Sequence, residues 1–365
     1  MGFLTARRER AADEREADAL WWSWRQACEG AGLCHQVDTV SGATVVVPQL
    51  VDIVLGPPTI LTVKLLPGQL LSDLRRVALR IAPHLGAVAL RVTPLGQIHA
   101  RVELLATDPL DVRVDLDLPA RPGQVFIGRD ETAHDVVQSW ADVAHTIVQG
   151  VTRSGKSVWT YGLLAQLAAD PLVTVCGSDP TGLLWRPFAG TRHAALQVSG
   201  VDDPGAHEVL LQALVDDMDA RIAAMPADRD TVAITTDQPL RVVVLEELAA
   251  LYRVADSVST TKDPVGKRIR SLVGRLLAEG AKAGYRVVII VQRAEAAIVG
   301  SFERAMCSLR ISFRTDTRAS AELLHPGAPG ELADQHTTAR PGIALMSAPG
   351  EELIRFRGPY LRGYP

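Results

Sequence analysis

A glycine-bounded loop that ends in lysine and serine is the feature of this sequence with the clearest chemistry. Residues 150–157 read GVTRSGKS, the spacing G-x-x-x-x-G-K-S, between an apolar run ending at Gln149 and an apolar-periodic segment. In such a context the backbone N–H groups of the loop converge on phosphates, and the glycines permit the backbone angles that this requires. The helix predicted to begin near Gly155 adds the positive end of its dipole. The pattern predicts a phosphate-binding site; a chance turn before an ordinary helix is the simpler alternative.

The same spacing gives individual side chains a role. Lys156 is expected to reach the β- and γ-phosphates of ATP, and the Ser157 hydroxyl is expected to be a ligand of Mg²⁺. ATP and Mg²⁺ are therefore the predicted cofactors. The predicted nucleotide contacts are Gly150, Val151, Thr152, Arg153, Ser154, Gly155, Lys156, Ser157 and Val158.

Two adjacent acids follow a second apolar run. Residues 241–245 read RVVVL and are followed by Glu246 and Glu247. The carboxyl ends of strands form the edge at which α/β sheets bind ligands, so we expect both acids beside the loop. Glu246 is assigned to the Mg²⁺ shell and Glu247 to polarising the attacking water, although two solvated acids are the simpler interpretation. Gln292, after the next core strand, is expected to sense the γ-phosphate, unless it forms a plain surface pair with Arg293.

These residues need a scaffold in which several strands end at one edge. Beyond the loop, short apolar runs alternate with amphipathic segments, as in a doubly wound α/β fold. In the longest amphipathic segment, one helical face is predicted to carry Val209, Leu210, Leu214 and Met218. The predicted strands are residues 172–176, 241–245, 286–291, 308–313, 342–346 and 353–356, and the long helices are residues 203–225 and 266–283.

The order of predicted helices and strands is different before the linker-like segment Pro119–Gly123. Residues 3–27 predict a helix with tryptophans near its end, which either docks on a neighbouring domain or subunit or lies at a membrane surface. Strands are predicted at residues 44–55, 59–65, 87–93 and 98–105, and a helix at residues 68–83. Three segments follow from this: an N-terminal helical segment (1–35), a small α+β domain (36–119) and the nucleotide-binding domain (120–365).

Composition excludes some classes of protein. In 365 residues, 47% are apolar and 22% are charged, which excludes a wholly disordered chain. The net charge of −4 gives no global signal for nucleic acid, so a nucleic-acid surface would have to be local. The four cysteines lack C-x-x-C spacing and favour a reduced, cytoplasmic setting. We expect no transmembrane segment, since Pro48, Asp52 and Gly56 interrupt the most apolar stretch.

Five motifs of this chain carry a resemblance to a known family: GVTRSGKS at 150–157, SDP at 178–180, VVVLEELAAL at 242–251, GRLLAEGAKAGYRVVIIVQRA at 274–294 and SLRISFRTDTRAS at 308–320. Together they resemble the FtsK/SpoIIIE DNA-translocase motors, including the actinobacterial conjugative-plasmid transfer proteins. The resemblance covers roughly residues 56–365. Arg153 stands where the better-known chromosome translocases have glycine, and Glu246 stands where an aspartate is usual.

The resemblance implies a RecA-like P-loop core, with a mainly parallel sheet between helices, assembled as a hexameric ring around double-stranded DNA. ATP would lie at subunit interfaces, and an arginine from one subunit would act on the γ-phosphate of its neighbour. The candidates are Arg293, Arg310 and Arg318. The DNA would be held through its phosphates by Lys262, Lys267, Arg268 and Arg270, although a solvated helix face is an equal alternative.

The expected function is ATP-dependent translocation of double-stranded DNA, moving plasmid or integrative-element DNA in conjugation. One alternative is a protein-secretion ATPase of the type VII kind. Another is a nucleotide-binding scaffold that does not hydrolyse ATP. The expected location is the cytoplasm, with peripheral membrane attachment through transfer partners left open.

Overall fold

The computed structural model describes residues 2–39, 42–116, 123–143, 145–296 and 298–363. The chain divides into two compact units, one of residues 1–112 with 129–134 and one of residues 113–128 with 135–365. The predicted linker lies, except for Gly123, outside the described residues. The sequence-based boundaries at residues 35 and 119 stay a prediction. None of the described helices combines the length and apolar character that a bilayer span needs.

The first unit holds a four-stranded antiparallel sheet with the order β3-β4-β6-β5, and β1 pairs with β2 in a separate antiparallel hairpin. Leu74, Val77 and Ile81 are buried as predicted, whereas Leu70 precedes its helix and stays exposed. The elements of this unit are α1 (Gly2–Gly30), β1 (His35–Thr39), β2 (Gly42–Val46), β3 (Gln49–Val54), β4 (Thr59–Lys64), α2 (Leu71–Ile81), β5 (Ala89–Pro94) and β6 (His99–Leu105).

Two details of this unit differ from the sequence-based picture. Residues 44–55 were predicted as one strand but form parts of two strands, because Pro48 lacks the N–H that a continuous ladder needs. Trp24 is buried inside the unit, and its indole N–H donates to the carbonyl oxygen of Pro48 at 2.7 Å. The neighbouring Trp21 and Trp22 remain exposed.

From residue 124 onward, the described strands form one ten-stranded sheet with the order β11-β10-β12-β13-β9-β14-β15-β16-β7-β8. The elements are β7 (Gln124–Asp130), β8 (Asp135–Ser139), β9 (Thr146–Gln149), α3 (Lys156–Ala169), β10 (Val173–Asp179), β11 (Gln197–Ser199), α4 (Pro204–Ala223), β12 (Leu240–Leu245), α5 (Leu248–Val258), α6 (Val265–Glu279), β13 (Tyr285–Val291), α7 (Ser301–Met306), β14 (Leu309–Phe313), α8 (Arg318–Leu324), α9 (Gly330–His336), β15 (Ile343–Ser347) and β16 (Ile354–Arg357).

Apolar cores cover both faces of this sheet. Val243 and Leu245 of β12 face a core built with α4, α5 and α6, whereas Val242 and Val244 face a core built with α3. This is why β12 reads as a continuous apolar run rather than an alternating one. In the order of the sheet, the six strands from β11 to β14 are parallel to one another. Strand β15 pairs antiparallel with β14, and β16 pairs antiparallel with β15. The predicted α/β fold class, with a sheet between helices, is confirmed.

Strand register places the predicted site residues at one edge. Gln149 pairs with Val291, and Leu245 pairs with both Ile289 and Ser178. The carboxyl ends of β9, β10, β12 and β13 therefore meet at the same edge of the sheet. One helical face was misplaced: Val209 is 71% exposed, while Leu210, Leu214 and Met218 are buried.

Candidate functional site

The loop between β9 and α3 is held from both sides by the backbone. The N–H of Val151 donates to the carbonyl of Arg314 at 3.0 Å, and the N–H of Gly342 donates to the carbonyl of Ser154 at 2.8 Å. Gly155 caps α3 with φ 97°, and a Cβ there would lie 2.4 Å from the nitrogen of Gly342. Only glycine fits this position without displacing backbone.

The side chains of the loop divide into buried and exposed groups. Lys156 is buried at the first position of α3, while the Ser157 hydroxyl lies on an exposed residue beside it. Thr152 and Arg153 are exposed, and Arg153 has φ 63°. A left-handed conformation at a residue with a Cβ costs about 1–2 kcal/mol, which glycine at this position avoids.

Gln149, the last residue before the loop, connects it to neighbouring elements through hydrogen bonds of its side chain. Its Nε2 donates to Ser312 Oγ at 2.7 Å and to the carbonyl of Ser320 at 2.9 Å, and its Oε1 accepts from the N–H of Ala294 at 3.0 Å. The buried amide therefore joins β9 to β14, to α8 and to the segment after β13. The sequence did not single out Gln149, because its partners are more than a hundred residues away.

Glu246 lies in the electrostatic field of the loop lysine. Burial raises the pKa of its carboxyl from 4.5 to about 7; Lys156 opposes this rise, while Asp179 and Glu247 add to it. Its Oε2 is buried and has no hydrogen-bond partner among the described residues. Asp179, at the end of β10, accepts hydrogen bonds from the hydroxyl of Thr181 and from the N–H groups of Thr181 and Leu184. Of these two acids, Glu246 is therefore the one with a buried oxygen that no described residue contacts through a hydrogen bond.

Glu247 points to a different part of the loop. It lines a cleft of about 280 Å³ together with Val151, Gln292, Arg293 and other residues from this edge of the sheet. Its backbone adopts φ 47° at the start of α5. Strain of this kind, of order 1–3 kcal/mol, clusters at functional sites. Glu246 is therefore under the electrostatic influence of Lys156, and Glu247 lines the cleft that contains Gln292.

The three candidate arginines are in different situations. Arg310 donates to the carbonyls of Arg304, Cys307 and Leu324, so its guanidinium is used inside its own subunit. Arg293 is paired with Asp316 and with Glu295. The side chain of Arg318 is 50% exposed at the start of α8, with Glu322 at 2.7 Å and Asp334 at 3.4 Å.

The four basic residues on and before α6, the basic run, also differ in whether an acid of the same chain pairs with them. Arg268 is bound by Glu208 and Asp263, and Arg270 makes two hydrogen bonds to Asp256. Lys262 and Lys267 are exposed and make no ion pair with another described residue. The positive charges of these two lysines are therefore not neutralised by a described acid, so they can interact with a polyanion.

The site combines a buried strand, a glycine-bounded loop, a helix that begins at the loop lysine, and acids at a neighbouring strand end. This is the arrangement of a P-loop nucleotide-binding domain. Residues 121–276 match the family model described as "FtsK/SpoIIIE family". This segment is thus similar to the FtsK/SpoIIIE family, and the resemblance predicted from the motifs is confirmed.

Two relatives that are similar in sequence carry names from DNA transfer and DNA translocation. The chain is 27% identical to Transfer protein TraSA of Streptomyces ambofaciens, with 82% of this chain and 76% of that protein covered. It is 23% identical to DNA translocase FtsK of Vibrio vulnificus, with 76% of this chain but 32% of that protein covered. The chain therefore spans about a third of the length of that FtsK relative.

Solved structures share the fold. The pCW3 conjugation coupling protein TcpA, in its monomer form with ATPγS, has a TM-score of 0.55 at 17% identity, covering 93% of this chain and 95% of that one. The type VII secretion ATPase EccC of Thermomonospora curvata has a TM-score of 0.51 at 18% identity, covering 71% of this chain and 31% of that one. At these identities the likeness concerns the fold.

Removing the ionisable group of Glu246 is expected to stabilise the nucleotide-free protein. Because the folded state raises this pKa, the folded state binds more protons than the unfolded state between pH 4.5 and about 7, and stability falls as pH rises through that window. We expect Glu246→Gln to melt at the wild-type temperature below pH 4.5 and several degrees higher above pH 7, a gain of at most about 3 kcal/mol. Calorimetry across this pH range in EDTA measures it. A temperature difference that stays constant with pH would contradict the burial argument, and Glu295→Gln, at an exposed acid, is the control.

Proposed function

We propose that this chain is an ATP-dependent translocase of double-stranded DNA that moves plasmid or integrative-element DNA during conjugation. The observation that carries the proposal is the position of Glu246 and Glu247 at the sheet edge that holds Lys156, inside an FtsK/SpoIIIE-family domain. The relatives named for DNA translocation, transfer and conjugation coupling support the choice of cargo.

Mg²⁺ fits the residues at the loop. Hydroxyl and carboxylate oxygens are the ligands that Mg²⁺ takes together with substrate phosphates and water. Ser157 and Glu246 supply such oxygens, and Oε2 of Glu246 is a buried acceptor without a partner among the described residues. The bound ion would neutralise charge on the β- and γ-phosphates.

The remaining residues have complementary tasks in hydrolysis. The loop N–H groups and Lys156 hold the triphosphate, and Glu247 orients a water for attack on the γ-phosphate and accepts its proton. Gln292 lines the same cleft, and we assign it the response to the γ-phosphate. We further propose a hexameric ring around DNA in the cytoplasm, attached to the membrane through transfer partners.

Duplex-stimulated ATPase activity tests the proposal. A translocase hydrolyses ATP faster when duplex DNA is added, whereas a secretion ATPase responds to a peptide and a scaffold shows no turnover. The wild-type chain is assayed with duplex, with a secretion-signal peptide and with neither. Stimulation by the peptide alone, or no hydrolysis under any condition, would refute the proposed function.

Lys262 and Lys267 are expected to contribute most of the charge of the basic run to DNA binding. Each lysine–phosphate contact steepens the slope of log K against log salt concentration by about 0.9. Lys262→Ala/Lys267→Ala is therefore expected to flatten this slope by about 2 and to weaken duplex binding several-fold. Fluorescence anisotropy with a labelled duplex at several salt concentrations measures both quantities.

The matched control removes the same charge elsewhere. Lys64 and Lys282 are exposed lysines outside the run, and Lys64→Ala/Lys282→Ala should leave the salt slope unchanged. An equal change in both double variants would show that the basic run does not contact DNA.

A further inference from the structure

A second cleft lies against the other end of the phosphate loop. It has a volume of about 250 Å³, and its lining includes Gly155 of the loop and Val158 in the first turn of α3. Val151, at the start of the loop, lines instead the cleft that contains Glu247 and Gln292. The two clefts therefore border opposite ends of the loop.

The lining of this second cleft also includes an arginine stacked on an aromatic ring. The guanidinium of Arg113 lies 3.8 Å from the centroid of the Tyr360 ring. Asp115 accepts hydrogen bonds from Arg113 at 2.7 Å and from Arg362 at 2.8 Å. These bonds, first that of Arg362 and then that of Arg113, lower the pKa of Asp115, so its carboxylate is charged at neutral pH.

Backbone hydrogen bonds fix the position of this pair. The N–H of Tyr360 donates to the carbonyl of Val114 at 2.7 Å, and the N–H of Leu116 donates to the carbonyl of Tyr360 at 2.9 Å. Both segments belong to the same compact unit as the loop. The stacked pair is thus part of the scaffold rather than a chance contact of two surface side chains.

We propose that this cleft binds the base and ribose of the nucleotide, with the base stacked on the Arg113–Tyr360 pair. The inference rests on the proposed role of Gly150–Val158 as the phosphate loop. Guanidinium planes and aromatic rings both stack on nucleobases. Pockets for whole drug-sized ligands measure about 300–1,000 Å³, so a 250 Å³ cleft suits a nucleoside whose phosphates lie outside it.

This orientation accounts for both clefts at once. With the base at Tyr360, the phosphate chain leads past Gly155 and Val158 toward Val151. The γ-phosphate then lies on the side of Glu247 and Gln292, where hydrolysis requires it. The reverse orientation would place the base among the charged residues Glu247, Arg293 and Glu295 and leave the acids without a phosphate.

Binding of two probes to the full chain separates base recognition from phosphate recognition. ATPγS carries the base, and inorganic tripolyphosphate does not; both are titrated with Mg²⁺ by calorimetry. We expect Tyr360→Ala and Arg113→Ala each to weaken ATPγS binding about 10-fold, a typical loss for base stacking. Tripolyphosphate affinity should stay unchanged, and Tyr360→Phe, which keeps the ring, should bind ATPγS like the wild type. Arg186→Ala, at an exposed arginine outside the cleft, is the control.

Two results would overturn the assignment: unchanged ATPγS affinity in both alanine variants, or an equal loss for ATPγS and tripolyphosphate. Failure of the proposed function looks different. In that case the wild type does not bind ATPγS, or Lys156→Ala binds ATPγS as tightly as the wild type does.

Discussion

Replacing Glu247 by glutamine is expected to lower ATP turnover by about 10²–10⁴-fold, the usual contribution of a general base. The amide keeps the shape of the side chain but cannot accept a proton from water. Because Glu247 lines a cleft to which Lys156 does not contribute, we expect ATPγS affinity to stay within about threefold of the wild type. Steady-state hydrolysis and calorimetric titration measure the two effects.

Glu295 offers a matched control for this variant. It lines the same cleft as Glu247, but it is exposed and pairs with Arg293 at 3.3 Å. Glu295→Gln removes the same charge and should retain turnover within about threefold. A similar loss in both variants would mean that the charge of the cleft matters rather than a base at Glu247. Retained turnover in Glu247→Gln would refute the assigned role.

The position of the acids relative to the loop was accessible from sequence because each step is local. The spacing around Gly150 and Gly155 predicts a strand, a loop and a helix, and the run ending at Leu245 predicts a buried strand. Parallel strands end at a common edge, so Glu246 and Lys156 could be expected near each other without knowledge of the full sheet. The roles assigned to these residues stay predictions.

The contacts that the sequence did not predict join segments that are far apart along the chain. Arg113 and Tyr360 meet only because the chain returns to the segment that precedes the sheet. The arginines of the basic run are typical of a DNA-binding surface in sequence, but Glu208 and Asp256 occupy Arg268 and Arg270 through folding. Single-residue patterns carry no information about such partners.

Short elements without periodicity were also missed. The helices α8 and α9 have seven residues each, too few to show a helical repeat. Yet α8 carries Arg318 at its start, and its residue Ser320 accepts from Gln149. A signal was present in Thr317, whose hydroxyl accepts from the N–H of Ser320 and caps the helix.

We propose that Arg318 is the arginine, among the three candidates, that acts on the nucleotide of the neighbouring subunit. Arg310 is held by three carbonyls of its own chain, and Arg293 lines the cleft that contains Glu247 of the same chain. The ion pairs of Arg318 are exposed, and exposed pairs contribute only about 0–1 kcal/mol, so exchanging them for a phosphate costs little. We expect Arg318→Ala to lower turnover about 10³-fold without changing ATPγS affinity. Arg310→Ala should instead lower the melting temperature, because it leaves three carbonyls without their donor.

Mixing two inactive variants distinguishes action in trans from action within one subunit. Lys156→Ala subunits cannot hold ATP but retain Arg318, whereas Arg318→Ala subunits hold ATP but lack the arginine. If the arginine acts across the interface, an equimolar mixture contains some sites with ATP from one variant and Arg318 from the other, and turnover should recover well above that of either variant alone. Mixing Lys156→Ala with Glu247→Gln subunits is the control, because Lys156 and Glu247 belong to the same site and no combination completes it. Recovery in the control, or none in the test mixture, would place Arg318 outside the role proposed for it.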